Sequence, residues 1–133
     1  GYDIKIQLYT VPGQIKYNAT RRLVLKGVDG IVFVADSMKA RNKKNMLSLQ
    51  NLQQNLATYQ KDIFKIPLVL QYNKRDLAEQ GIPLLSFEML EKQLNSKLKA
   101  PSLEGSAMTG KNIAETAIKI ISMTVSSLQK ELK

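Results

Sequence analysis

The chain contains no cysteine, no histidine and no tryptophan in its 133 residues. Without cysteine there is neither a disulfide framework nor a thiolate nucleophile, and a reducing cytoplasm suits such a sequence. With histidine gone as well, zinc clusters, Ser-His-Asp triads and imidazole acid–base chemistry drop out for these residues. Long apolar runs are also missing. None approaches the roughly 20 residues that cross a bilayer, so no transmembrane segment is expected. No basic segment followed by an apolar one opens the chain, so secretion is unsupported, and a start at Gly1 without Met is read as loss of the natural start. Aromatic residues make up only 6% of the chain and do not alternate with the basic ones. A stacking platform for nucleic acid is therefore not built into the sequence.

Acidic residues are few, 11 against 20 basic, which leaves a formal charge of +9. Lys39, Arg41, Lys43 and Lys44 crowd one helix start, whereas Lys92, Lys97, Lys99, Lys119, Lys130 and Lys133 are scattered among polar helix positions. That distribution is a solvated surface, and no nucleic-acid partner is expected; the contrary reading predicts steeply salt-dependent binding to DNA or RNA. What is present is an ordinary globular composition, 44% apolar, in a chain the size of one domain and able to bury a core.

From Asp3 to Thr10, Ile4, Ile6 and Leu8 alternate with Lys5 and Gln7, the period of a strand with one buried face. After the Pro12-Gly13 turn, Asn18 to Lys26 reads as a short helix closed by Gly27. Gly30 to Asp36 is a continuous apolar run, expected as a central parallel strand. Met46, Leu49, Leu52, Leu56 and Tyr59 mark a helix over Asn42 to Tyr59, and Ile66 to Tyr72 the next strand. Phe87, Leu90, Leu94 and Leu98 indicate another amphipathic helix, Leu103 to Ser106 a short strand, and Ile113 to Leu128 a long last helix. The βαβαβαβα order predicts an α/β fold: a mostly parallel sheet flanked by helices, with ligands at the carboxyl ends of the strands. There is no internal repeat, low-complexity segment or linker.

Three loops fall at those strand ends. Asn73-Lys74-Arg75-Asp76 reads as a recogniser of guanine. An Asp76 carboxylate offers two acceptors side by side to the N1–H and 2-amino donors of guanine, a pairing adenine cannot match. The stem of Lys74 would cover one face of the purine, and Asn73 would bond the ring edge and neighbouring loops. In Gly105-Ser106-Ala107-Met108-Thr109-Gly110, the Ala107 N–H would meet guanine O6 while the Ser106 hydroxyl steadies Asp76. In Tyr9-Thr10-Val11-Pro12-Gly13-Gln14, Gly13 allows close approach to a phosphate, and the Gln14 amide can hold an attacking water without titrating. Each loop alone is also an ordinary polar turn. Their order after three different strands is what points to a nucleotide site.

With these loops the sequence resembles the Ras-like small GTPases, and Tyr-Thr-Val-Pro-Gly-Gln resembles their gliding-motility, MglA-type branch. The likeness runs from Leu8 through Gln14, Lys26 to Gly30, Ile31 to Ser37 and Gln71 to Leu77, and thins after Leu85. The resemblance implies Gln14 as the catalytic, water-orienting residue. It also implies Gly13 and Thr10 on the phosphate side, and Asn73, Lys74, Asp76, Ser106, Ala107 and Met108 around the guanine. It further implies Mg²⁺ with GTP or GDP, a second switch from Pro12 to about Lys26, and a Roadblock-domain, MglB-like activator on the switch face. The resemblance likewise implies a cytoplasmic, polar location and a role in the control of gliding motility and cell polarity.

Two departures matter. Where most of the superfamily has a magnesium-facing Asp, this chain has Thr10, as in the gliding-motility branch; an uncharged hydroxyl makes a weak case for a direct metal ligand. No Gly-x-x-x-x-Gly-Lys-Ser/Thr loop occurs anywhere. The expectation is a single partial small-GTPase domain over residues 1–133, from the second switch to the last helix, lacking the N-terminal strands and phosphate-loop helix. On its own it would bind GTP poorly and not hydrolyse it. The competing reading is a binding module without catalysis.

Overall fold

The computed structural model describes residues 5–10 and 18–132. Three parallel strands form the sheet in the order β1 (Ile31–Asp36), β2 (Leu68–Asn73), β3 (Ser102–Glu104). Around it lie α1 (Asn18–Leu25), α2 (Asn42–Thr58), α3 (Phe87–Leu90) and α4 (Ile113–Glu131), with short 3₁₀ helices at Lys39–Arg41 and Arg75–Gln80. This is the α/β arrangement of parallel strands and crossover helices that the alternating sequence predicts.

The sheet differs from the expectation in its first and central strands. Residues 5–10 form no strand, and Ile6, Leu8 and Tyr9 are 53%, 86% and 71% exposed. Alternation marks which face of a strand would be buried, but a strand exists only when a neighbour takes its N–H and C=O groups. None of the described strands pairs with this segment. The run at 31–36, expected as central, pairs only with β2 among the described residues, and its Val34 is 53% exposed. The central strand is β2, where the first five of its six residues are buried.

The period-two pattern of β2 divides the interior. Leu68, Leu70 and Tyr72 join the main apolar cluster with Leu52 and Leu56 of α2 and Leu90 of α3. Truncating a fully buried member such as Leu56 to Ala removes transfer energy and leaves a cavity, a loss of about 2–5 kcal/mol. The opposite face of β2 turns Gln71 toward α4, where its Nε2 donates to Thr116 Oγ1 at 2.9 Å, both side chains being buried. Close approach of α4 to the start of β1 depends on Gly30, because a Cβ there would overlap Thr124 Oγ1.

The third helix departs from the sequence pattern. Ser86 caps it by accepting the Met89 N–H at 3.1 Å, but after Leu90 the chain widens into a π-helical turn over Glu91–Asn95. Buried Asn95 then exchanges two hydrogen bonds with the Ala100 backbone, 2.8 and 2.9 Å, in place of further helix. The wide turn brings Glu91 Oε1 to the Tyr72 hydroxyl, which donates at 2.6 Å. Among the described residues no helix is long and apolar enough to cross a membrane.

Candidate functional site

The in-register pairing of β1 with β2 places Asp36 opposite Asn73, so two polar residues leave the apolar strands side by side. From Asn73 the chain turns through Lys74, whose φ of +69° lies in the left-handed region that non-glycine residues seldom occupy. Arg75 accounts for how this turn is held. Its N–H donates to Gly105 O at 3.2 Å, its Nη1 to Leu85 O at 2.6 Å, and its Nε lies 3.5 Å from Glu104.

The loop after β3 closes on the first. Ser106 is buried, its hydroxyl donates to Asp76 Oδ1 at 2.8 Å, and its oxygen accepts the Thr109 N–H at 3.1 Å. Gly110 N–H returns to Ser106 O at 2.8 Å, and Gly110 itself has φ +83°, a value that favours glycine. Asn112 Nδ2 donates to Glu104 O at 2.7 Å as α4 begins. Gly105 must also stay small, since a Cβ would lie 3.0 Å from Lys111 O and 3.2 Å from the Gln71 side chain.

The structure therefore brings Asn73, Lys74, Asp76, Ser106 and Ala107 together from two loops far apart in sequence. Asn73 Oδ1 accepts the Ala107 N–H at 2.9 Å. That is the same N–H assigned from sequence to guanine O6, so a bound base would receive it by sharing or exchange. Lys74 Nζ reaches Asp36 Oδ2 at 2.8 Å. Met108 extends into solvent, 86% exposed. Thr10 is exposed and belongs to the segment without strand structure, while Gly13 and Gln14 lie outside the described residues.

The residues present do not form a fitted site for Mg²⁺, which prefers oxygen ligands with anionic character. Among the described residues no group of three or more Asp, Glu, His or Cys is placed to hold a metal ion, and Thr10 offers only a neutral hydroxyl.

Sequence reasoning missed three contributors: Asp36, Arg75 and the Tyr72–Glu91 pair. Arg75 stood inside the quoted tetrapeptide without a role, and Asp36 ends an apolar run as Asn73 does, a symmetry that marks adjacent strand ends. Nothing in the spacing shows that Glu91 meets Tyr72, because the π-helical turn sets that contact. Burial first, then the hydrogen bond to and the charge of Glu91, push the Tyr72 phenol well above its ordinary value, so it stays a neutral donor beneath the loop.

Parallel strands, crossover helices and two tethered loops at the strand ends form an α/β arrangement consistent with the Ras-like small-GTPase fold. A sequence profile of the Ras family matches residues 1–126, and the chain belongs to that family. It is also 44% identical over 130 residues to the mutual gliding-motility protein MglA of Myxococcus xanthus (strain DK1622). That alignment covers 98% of this chain and 64% of the relative, so the chain spans less than two thirds of the relative's length.

Proposed function

We propose that this chain carries the guanine-reading half of a GTP-hydrolysing switch that acts in gliding motility and cell polarity. The observation that carries the reading is the pair of cross-loop hydrogen bonds, Ser106 to Asp76 and Ala107 to Asn73. They restrain two base-contacting side chains before any ligand arrives, which reduces the ordering cost of binding. Asp76 then accepts from guanine N1–H and the 2-amino group, Asn73 serves the ring edge, and the Lys74 stem covers a face. Met108 lies at the rim of the same loop.

On the phosphate side, Gly13 donates a backbone N–H, the Thr10 hydroxyl adds a neutral contact, and Gln14 aligns water with the γ-phosphorus in line with the leaving group. The gain is positional: Gln14 need not change protonation for water to attack. The substrate is GTP and the product GDP; Mg²⁺ would be held by the nucleotide phosphates rather than by a carboxylate set of this chain, and a Roadblock-domain activator docks on the switch face. The setting is the cytoplasm, at a cell pole. Because this sequence has no phosphate-cradling glycine loop, residues 1–133 alone bind the nucleotide weakly and leave it unhydrolysed.

The test is fluorescent GDP binding to the full-length protein with ADP as competitor, followed by phosphate release from GTP. Guanine selectivity is expected, and Gln14→Leu should lower release by at least about tenfold, the scale of a lost water-positioning contact. Equal displacement by ADP would overturn the base assignment. Phosphate release unchanged by Gln14→Leu would leave a binding module without catalysis.

A further inference from the structure

We propose that Asp36 is a positioning residue for the nucleotide base, acting through Lys74. It holds the lysine ammonium at the end of the neighbouring strand and so stretches the aliphatic stem along the face a purine would occupy. This rests on the guanine-site reading above and adds a residue from β1, 38 positions away in sequence, that no comparison assigns.

The geometry is that of a rigid support. Asp36 Oδ2 receives Lys74 Nζ at 2.8 Å, and Oδ1 accepts the Met38 N–H at 3.0 Å, so both carboxylate oxygens are engaged. The Asp36 backbone is held equally firmly. Asn45 on α2, buried, accepts its N–H at 3.1 Å and donates to its carbonyl at 2.8 Å. Next to it, Ser37 N–H donates to Asn73 O at 3.1 Å and Leu85 N–H to Ser37 O at 2.9 Å, which ties the end of β1 to the base loop. A carboxylate mounted on a strand end and braced by a helix is a better anchor than one carried on a loop.

Lys74 needs an anchor. Its side chain is 45% exposed and carries many rotamers, and its backbone sits at φ +69°. Both count against an ordered stem unless surrounding contacts over-determine it. An ion pair of this exposure contributes little to folding, so its placement at the site is better explained by orientation than by stability.

Asp36→Asn separates these roles. It keeps the shape and the acceptor for Met38 N–H but sets an amide donor against the ammonium. In the full-length protein we expect GDP affinity to fall about fivefold, the scale of a partly exposed ion pair, mainly through faster dissociation. The melting temperature of the nucleotide-free protein should hardly move. Lys74→Met retains the stem without the charge, and in that background Asp36→Asn should add nothing further. Unchanged GDP affinity in Asp36→Asn overturns the proposal, as does an equal loss in both backgrounds or a loss matched by a fall in melting temperature. Failure of the wild-type protein to bind GDP at all would instead overturn the guanine-site reading.

Discussion

The two ends of the expected nucleotide site differ sharply in how they are held. The base-side loops, 73–76 and 105–110, follow buried β2 and half-buried β3 and are cross-linked by side-chain and backbone hydrogen bonds involving Asn73, Arg75, Asp76 and Ser106. Residues 5–10, with as clear an apolar alternation as either strand, lie exposed and pair with no strand among the described residues. The difference teaches that a periodic pattern specifies a face, whereas a strand also needs a hydrogen-bonding neighbour. The proposed recognition of the base draws on β2, β3 and the loops that follow them, and the expected phosphate side has no comparable support among the described residues.

The strongest way to break this contrast is Asp76→Asn in the full-length protein. An amide opposes one guanine donor with a donor of its own, and a site built on such pairing should lose at least about 100-fold in GDP affinity. The same amide matches the N1–H and C2 carbonyl of xanthine, so xanthosine diphosphate should gain in a competition assay. Unaltered GDP affinity would remove Asp76 from the base.

A second test asks whether the tethered loops rest on a neutral Tyr72. The folded phenol is shifted upward, so its contribution to stability is fully present below the unfolded value of about 10 and is lost as pH rises above it. In that window the unfolded chain releases a proton that the folded one keeps, which costs up to ~1.4 kcal/mol per pH unit. Tyr72→Phe should lower stability by ~1 kcal/mol near neutral pH through the lost bond to Glu91, and flatten the alkaline decline. Urea midpoints measured for both proteins from about pH 8 to 11 would show the two curves converging; parallel curves would sink the assignment.

The smallest effect is expected in the other region. Leu8→Ser removes an apolar side chain that is 86% exposed, so the stability of this chain should change by less than about 0.5 kcal/mol. A loss of several times that in the denaturant midpoint would mean that residues 5–10 are packed after all.

Much of the architecture was legible in local patterns. The runs around Ile31 and Leu68, the stripe of Leu49, Leu52 and Leu56, and the long helix from Ile113 all formed close to their expected bounds. These elements advertise themselves because a buried face recurs at the period of its own backbone. The helix after Phe87 was harder to read, since the π-helical turn at Glu91–Asn95 answers to Tyr72 and Ala100 rather than to helix period. Met46 shows the same limit: it lies on the expected stripe of α2 and is nevertheless 47% exposed.

The candidate site divides in the same way. By itself the sequence determined the chemistry of the proposed base reading, because the donor and acceptor pattern of Asp76, Asn73 and a small-residue loop is a property of residue type and order. Tertiary structure decided which groups hold them, Ser106 on Asp76, Ala107 on Asn73 and Asp36 on Lys74, and that residues 5–10 pair with no described strand. Those contacts join residues up to 38 positions apart, and they depend on strand register and on which neighbour is present, which no local pattern encodes.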